Sequence, residues 1–230
     1  MRSARAIEVH RQALLLDLDG TLADSLGVMR QVYCEFLRSF GKLPSNDEFE
    51  KLNGPPLADV VVHLALSHEI DVPKEILLRT YRDMVERVYQ GVKPRPGAVD
   101  LLDTARFNRY LVSVVTSNTT GLVKTWLRAV GLDRMVDVVV GGDEVNMGKP
   151  HPEPYLKALE QTGCKASDSL AVEDSIVGAR SAVAAGLRTF LIAVPPIKFD
   201  PELIVIDHLD QVTEFIATGR IDLDHQDSRT

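Results

Sequence analysis

The most constraining feature of this chain is the run Leu14-Leu15-Leu16-Asp17-Leu18-Asp19-Gly20-Thr21. Three consecutive leucines have no polar face to offer. The stretch therefore reads as a strand buried on both sides, as in a parallel sheet covered by helices. In open α/β sheets, ligands bind at the C-terminal ends of such strands. Two carboxylates arriving there are costly to desolvate without a positive partner. A divalent cation that prefers oxygen ligands, such as Mg²⁺, meets that need. The competing reading is an ordinary surface turn, because Asp and Gly favour turns. Complementary groups at three later strand ends weigh against it.

The pattern then turns helical. Leu26, Met29, Tyr33, Phe36, Leu37 and Phe40 fall at helical spacing, with Ser25 expected to cap and Gly41 to stop the helix. A short helix follows from Asn46 to near Asn53-Gly54-Pro55-Pro56, then one over Leu57 to Ser67. A longer one starts at Pro73 and runs to about Tyr89. Asn53 and Gly54 are either a loop facing the site or a plain helix-ending turn. Beyond Pro94-Arg95-Pro96-Gly97, strands and helices alternate. Strands are expected at 110–115, 136–140, 169–172, 188–193 and 203–206, and helices at 98–107, 119–129, 152–162, 176–185 and 209–217. Such alternation implies an α/β fold with a right-handed parallel sheet. The expected division is a main domain of 1–22 and 93–222, a helical insert over 23–92, and a loose polar tail at 223–230.

Three further strand ends carry chemistry. Thr116-Ser117-Asn118 closes the second strand and precedes a helix, whose free N-terminal amides suit a phosphate. Asn118 reads equally well as a helix cap. Lys149 sits in Gly148-Lys149-Pro150-His151-Pro152, where the prolines restrict the backbone and a fixed ammonium can neutralise transferring charge. His151, between two prolines, reads as a loop-shaping residue. Glu173-Asp174 ends another strand, and adjacent acids there repel unless a cation joins them. Ser175 can cap the helix from Ile176. Trp126 reads as packing. A carboxylate such as Asp17 can attack phosphorus, with Asp19 placed to trade a proton with the leaving group and then with water.

Asp17-Leu18-Asp19-Gly20-Thr21, Thr116, Lys149 and Glu173-Asp174 resemble, in order, the four signatures of the haloacid dehalogenase superfamily. The resemblance is to its aspartate-nucleophile phosphotransferase branch. The match spans about 13 to 195, and the overall look is similar to phosphoglycolate phosphatases and the β-phosphoglucomutase-like group. The resemblance implies a Rossmann-like three-layer α/β/α core with the insert as a small helical cap. It implies Asp17 as nucleophile and Mg²⁺ ligand. Asp19 becomes general acid and base, with its backbone carbonyl on the metal. Asp174 becomes a direct ligand, and Glu173 a ligand directly or through water. Thr116, Ser117, Asn118, Lys149 and Gly20 become the phosphate-binding group. The second acid, Asp19, argues against metal-free dehalogenation. Lys42, Lys51 and Lys74 form no pattern for a Schiff-base phosphonatase. The expected activity is a Mg²⁺-dependent phosphatase on a small phosphomonoester of phosphoglycolate or sugar-phosphate type. A β-phosphoglucomutase-like phosphomutase and a non-catalytic binding protein on the same scaffold stay open.

Charge bounds the partners. A net charge of −7 and a pI near 5.4 argue against a nucleic-acid binder, which needs a basic face. A phosphorylated metabolite remains compatible, since a pocket can be positive on an acidic protein. Cys34 and Cys164 make no metal or disulfide pattern. No apolar run reaches the roughly 18 residues of a membrane span, and the N-terminal segment lacks a signal-peptide core. A soluble cytoplasmic protein, monomer or homodimer, is the expectation.

Overall fold

The computed structural model describes residues 11–193 and 202–220. The tail at 223–230 and all of the 1–11 lead-in except Arg11 lie outside the described residues. Among the described residues the strands are β1 (Ala13–Leu16), β2 (Leu111–Val115), β3 (Val138–Val140), β4 (Leu170–Glu173), β5 (Arg188–Ile192) and β6 (Leu203–Ile206). The helices are α1 (Leu26–Ser39), α2 (Asn46–Lys51), α3 (Leu57–Ser67), α4 (Lys74–Tyr89), α5 (Ala98–Phe107), α6 (Thr120–Ala129), α7 (Glu153–Thr162), α8 (Ile176–Ala184) and α9 (Leu209–Thr218). The expected α/β alternation is present, with boundaries shifted by a residue or two. Pro73, for example, lies just before α4 rather than inside it.

The strands form one parallel sheet in the order β3-β2-β1-β4-β5-β6. Leu14 and Leu16 point to the face covered by α5, α6 and α9, through residues such as Leu102, Trp126 and Val212. Ala13 and Leu15 point to the opposite face, against Tyr155 and Ala158 of α7 and Ala182 of α8. All four residues of β1 are wholly buried, as the unbroken apolar run requires. The chain reverses its direction across the sheet between β1 and β4. That switch point is where an open α/β sheet leaves a crevice.

Between β1 and α5, helices α1–α4 pack on one another, with α4 against both α1 and α3. Phe36 and Tyr81 meet edge to face at 5.0 Å in their interior. The chain enters and leaves this helical segment side by side. Asp24 N donates to Lys93 O, and Arg95 N to Leu22 O, each at 2.9 Å. Trp126 is buried, and its indole N–H donates to Val92 O at 2.9 Å, so it packs as expected. Cys34 and Cys164 are free thiols.

Candidate active site at the strand C-termini

Asp17 follows β1 directly, and its amide donates to Val172 O of β4 at 3.0 Å, which fixes it at the switch point. Lys149 arrives from the loop before α7 and is 3% exposed. Its ammonium donates to Asp17 Oδ1 and Glu173 Oε1, each at 2.6 Å, and to Val115 O at 3.0 Å. Burial works against the charge, but Asp17 and Glu173 outweigh it and raise the Lys149 pKa. The lysine therefore stays cationic. Glu173 is wholly buried and also accepts from Tyr155 Oη at 2.5 Å and Ser175 Oγ at 3.4 Å. Ser175 keeps its expected capping role, accepting from Gly178 N at 3.0 Å.

One oxygen each from Asp17, Glu173 and Asp174 lie within 4.8 Å of one another. Burial, then the neighbouring carboxylates, push Asp17 well above the usual aspartate range, with Lys149 pulling the other way. Asp174 is pushed up to about 7, first by burial and then by Glu173. Three carboxylates around one lysine leave surplus negative charge, and their hard oxygens suit a divalent cation. The donor set thus fits a metal without identifying which one. Gly20 makes room for the Asp174 carboxylate: at φ +77°, an added Cβ would lie 2.1 Å from Asp174 Oδ2.

Asp19 sits apart from the lysine and is held by three side-chain donors. Ser25 Oγ and Tyr89 Oη donate to Oδ1 at 2.6 Å, and Asn118 Nδ2 to Oδ2 at 2.5 Å. Two expectations change here. Ser25 makes no capping bond to α1. Asn118 does not cap α6 either, because Thr119 does, accepting from Leu122 N. A carboxylate at a strand end claimed both donors. Thr116 Oγ1 accepts from Asn118 N at 3.1 Å and lines the cleft. Ser117 lines it too, but its hydroxyl donates to Gly54 O at 2.8 Å. Gly20, expected among the phosphate contacts, has its amide committed to Ala23 O, and its carbonyl accepts from Arg95.

Asn53 settles the alternative left open for its loop. Its side-chain amide donates to Asp174 Oδ2 at 2.9 Å, so the α2–α3 connection faces the site. His151 shapes its loop, accepting from Glu153 N at 3.2 Å through Nδ1. Sequence reasoning missed Tyr89, Tyr155 and Arg95. Each tyrosine lies on the buried face of an amphipathic helix, where it reads as packing. The turn at Pro94-Pro96 was the one local hint for Arg95.

The same fold occurs in the crystal structure of CbbY from Rhodobacter sphaeroides in complex with phosphate. The TM-score is 0.77 at 24% identity, over 88% of this chain and 96% of that one. A phosphoglycolate phosphatase of Nitrosospira multiformis is 30% identical over 189 residues, 79% of this chain and 82% of its own. The phosphorylated carbohydrates phosphatase of Thermotoga maritima is 29% identical over 178 residues, 77% of this chain and 82% of its own. The class these similarities define is an enzyme, a hydrolase of the phosphoric monoester type. Residues 14–192 match the haloacid dehalogenase-like hydrolase model, and the chain belongs to that family.

Proposed function

We propose that this protein is a Mg²⁺-dependent phosphatase that hydrolyses a small phosphomonoester through a phosphoryl group carried on Asp17. The observation that carries this reading is the meeting of Asp17, Lys149, Glu173 and Asp174 at one strand-end crevice, with the Asp19 carboxyl and Thr116 beside it. Asp17 and Asp174 are placed to hold the cation, with Glu173 behind them as a ligand directly or through water and as the anchor of Lys149. The cation, when bound, supplies charge neutralisation that lets an anionic carboxylate meet an anionic phosphate.

An Asp17 carboxylate oxygen attacks phosphorus, and the bond from phosphorus to the leaving oxygen breaks. Asp19 delivers a proton to that oxygen, which releases the alcohol, and recovers a proton in the next step. Water then attacks the phosphorus of the aspartyl-phosphate while Asp19 takes its proton. The Asp17–phosphorus bond breaks, and inorganic phosphate leaves. Lys149 holds positive charge against the transferring group throughout. Thr116 and the backbone at Ser117 and Asn118 are positioned to receive phosphate oxygens. Names of relatives such as phosphoglycolate phosphatase and phosphorylated carbohydrates phosphatase support a small phosphorylated metabolite as substrate.

The test is release of inorganic phosphate from p-nitrophenyl phosphate by the purified protein with Mg²⁺, beside Asp17→Asn. Turnover lost in the variant is expected. No turnover by either protein would favour a binding role on the same scaffold. Interconversion of β-glucose 1-phosphate in the presence of a glucose 1,6-bisphosphate primer would instead identify a mutase.

A further inference from the structure

The cleft over Asp17 has two unlike walls. The strand ends supply carboxylates, hydroxyls and amides. The helical segment supplies Leu26, Met29, Phe49, Leu52, Leu57 and Val60. Among the described residues, no lysine, arginine or histidine is among those lining this cleft; Arg82 lines the adjoining hollow, which shares Leu57, Ser117 and Asn118 with it. Lys149 lies behind Asp17, with each ammonium N–H already donated inside the protein. Two polar groups reach the cleft from helices α1–α4 and their connections without being backbone: Asn53 and Tyr81. Asn53 is tied to Asp174. Tyr81 is 3% exposed, lines the cleft and makes no hydrogen bond to a described residue. Burial raises its pKa, so the phenol keeps its proton.

Resting on the phosphatase reading, we propose that the substrate's leaving group is uncharged and mostly apolar, a short alkyl or aryl alcohol carrying at most one further hydroxyl, which meets Tyr81. A second anion, whether carboxylate or phosphate, would be desolvated against leucine and phenylalanine, with no lysine, arginine or histidine among the cleft's own lining residues to answer it, while the cation is engaged by the phosphoryl group. A polyol would bring several hydroxyls to a wall that answers one, and unanswered hydroxyls are costly to bury. An alkyl chain meets matching surface. The phosphoryl end is untouched by this choice, since it is bound by the strand ends.

The experiment measures kcat/KM for phosphate release by the full chain with Mg²⁺. The panel is butyl phosphate, 4-hydroxybutyl phosphate, phosphoglycolate, glucose 6-phosphate and pyrophosphate. Alkyl phosphates avoid the advantage that a phenolate has simply as a good leaving group. Both butyl compounds are expected to exceed the other three by about tenfold or more, with the hydroxylated one favoured. Tyr81→Phe should erase the preference between the two butyl compounds, and Leu52→Lys should shift the ranking toward phosphoglycolate. A ranking led by phosphoglycolate, glucose 6-phosphate or pyrophosphate in the wild type overturns this inference alone. No release from any of the five, with Asp17→Asn indistinguishable from wild type, overturns the phosphatase reading and takes this one with it.

Discussion

A lysine ammonium can donate three hydrogen bonds, and Lys149 spends them on Asp17, Glu173 and the Val115 carbonyl. Removing it would strand two buried carboxylates. Lys149→Ala is therefore expected to cost about 100-fold or more in kcat and about 3 kcal/mol of stability in the metal-free protein. Steady-state kinetics and urea unfolding read the two effects, and a variant near wild type in both would remove Lys149 from its role. Asp174 makes a pH prediction. Its folded pKa, near 7, lies above the ordinary value of 3.8. Its contribution to the metal-free fold is thus complete below 3.8 and lost as pH rises through about 7. A cation must displace the same proton, so Mg²⁺ affinity should rise with pH up to about 7 and then level off. Calorimetric titrations across that range check this, and a flat profile would count against Asp174 as a ligand.

At the scale of elements, α2 matters more than its single turn and a half suggests. None of its own residues is fully buried; Phe49 packs against the Tyr33 ring at 5.6 Å, and Glu48 adds a polar anchor. It accepts from Tyr33 of α1, and His68, just after α3, places Nε2 2.8 Å from Glu48 Oε2. His63 of α3 lies 3.4 Å from the other carboxylate oxygen. Burial raises the Glu48 pKa, but the Tyr33 and His68 bonds more than offset this and leave it lowered. Its stabilisation is therefore present above the usual glutamate range and lost as pH falls through its depressed value. Phe49, Leu52 and Asn53 follow directly and line the cleft. Glu48→Ala, far from the carboxylate cluster in sequence, is expected to raise KM several-fold with a smaller change in kcat, since positioning of a cleft wall bears mainly on binding. A kcat loss with KM unchanged would refute this account.

For the molecule as a whole, we propose that residues 23–92 act as a cap over the core of 1–22 and 93–222. The paired entry and exit segments at Asp24–Lys93 and Leu22–Arg95 supply a compact hinge. The Asn53–Asp174 and Ser117–Gly54 bonds latch the far side across the cleft. Closure would exclude water from the first transfer, and opening would release the product. A bound cation would compete with Asn53 for Asp174, and a bound phosphate would compete with Gly54 O for the Ser117 hydroxyl. Hydrogen exchange at 52–57 should still slow when Mg²⁺ and phosphate are added together; unchanged exchange would argue against capping. EDTA should abolish phosphate release and added Mg²⁺ restore it.

The local pattern by itself determined the parallel α/β alternation. A wholly apolar β1 cannot sit at a wet edge, and helix periods between strands leave only crossover connections. The resemblance to the family's signatures marked Asp17, Thr116, Lys149 and Glu173-Asp174, and for the strand-end acids local physics agrees, since burying them is costly without a positive partner. Tertiary structure alone decided where short polar side chains spend their hydrogen bonds. Ser25 and Asn118 hold helix-start positions by sequence, yet both turn to Asp19, because a strand-end carboxylate far along the chain needs donors. Tyr89 and Tyr155 look like core residues on their helices, and only the folded approach of Asp19 and Glu173 gives their hydroxyls partners. Propensity is set by neighbours in sequence, whereas the satisfaction of a buried charge is set by neighbours in space.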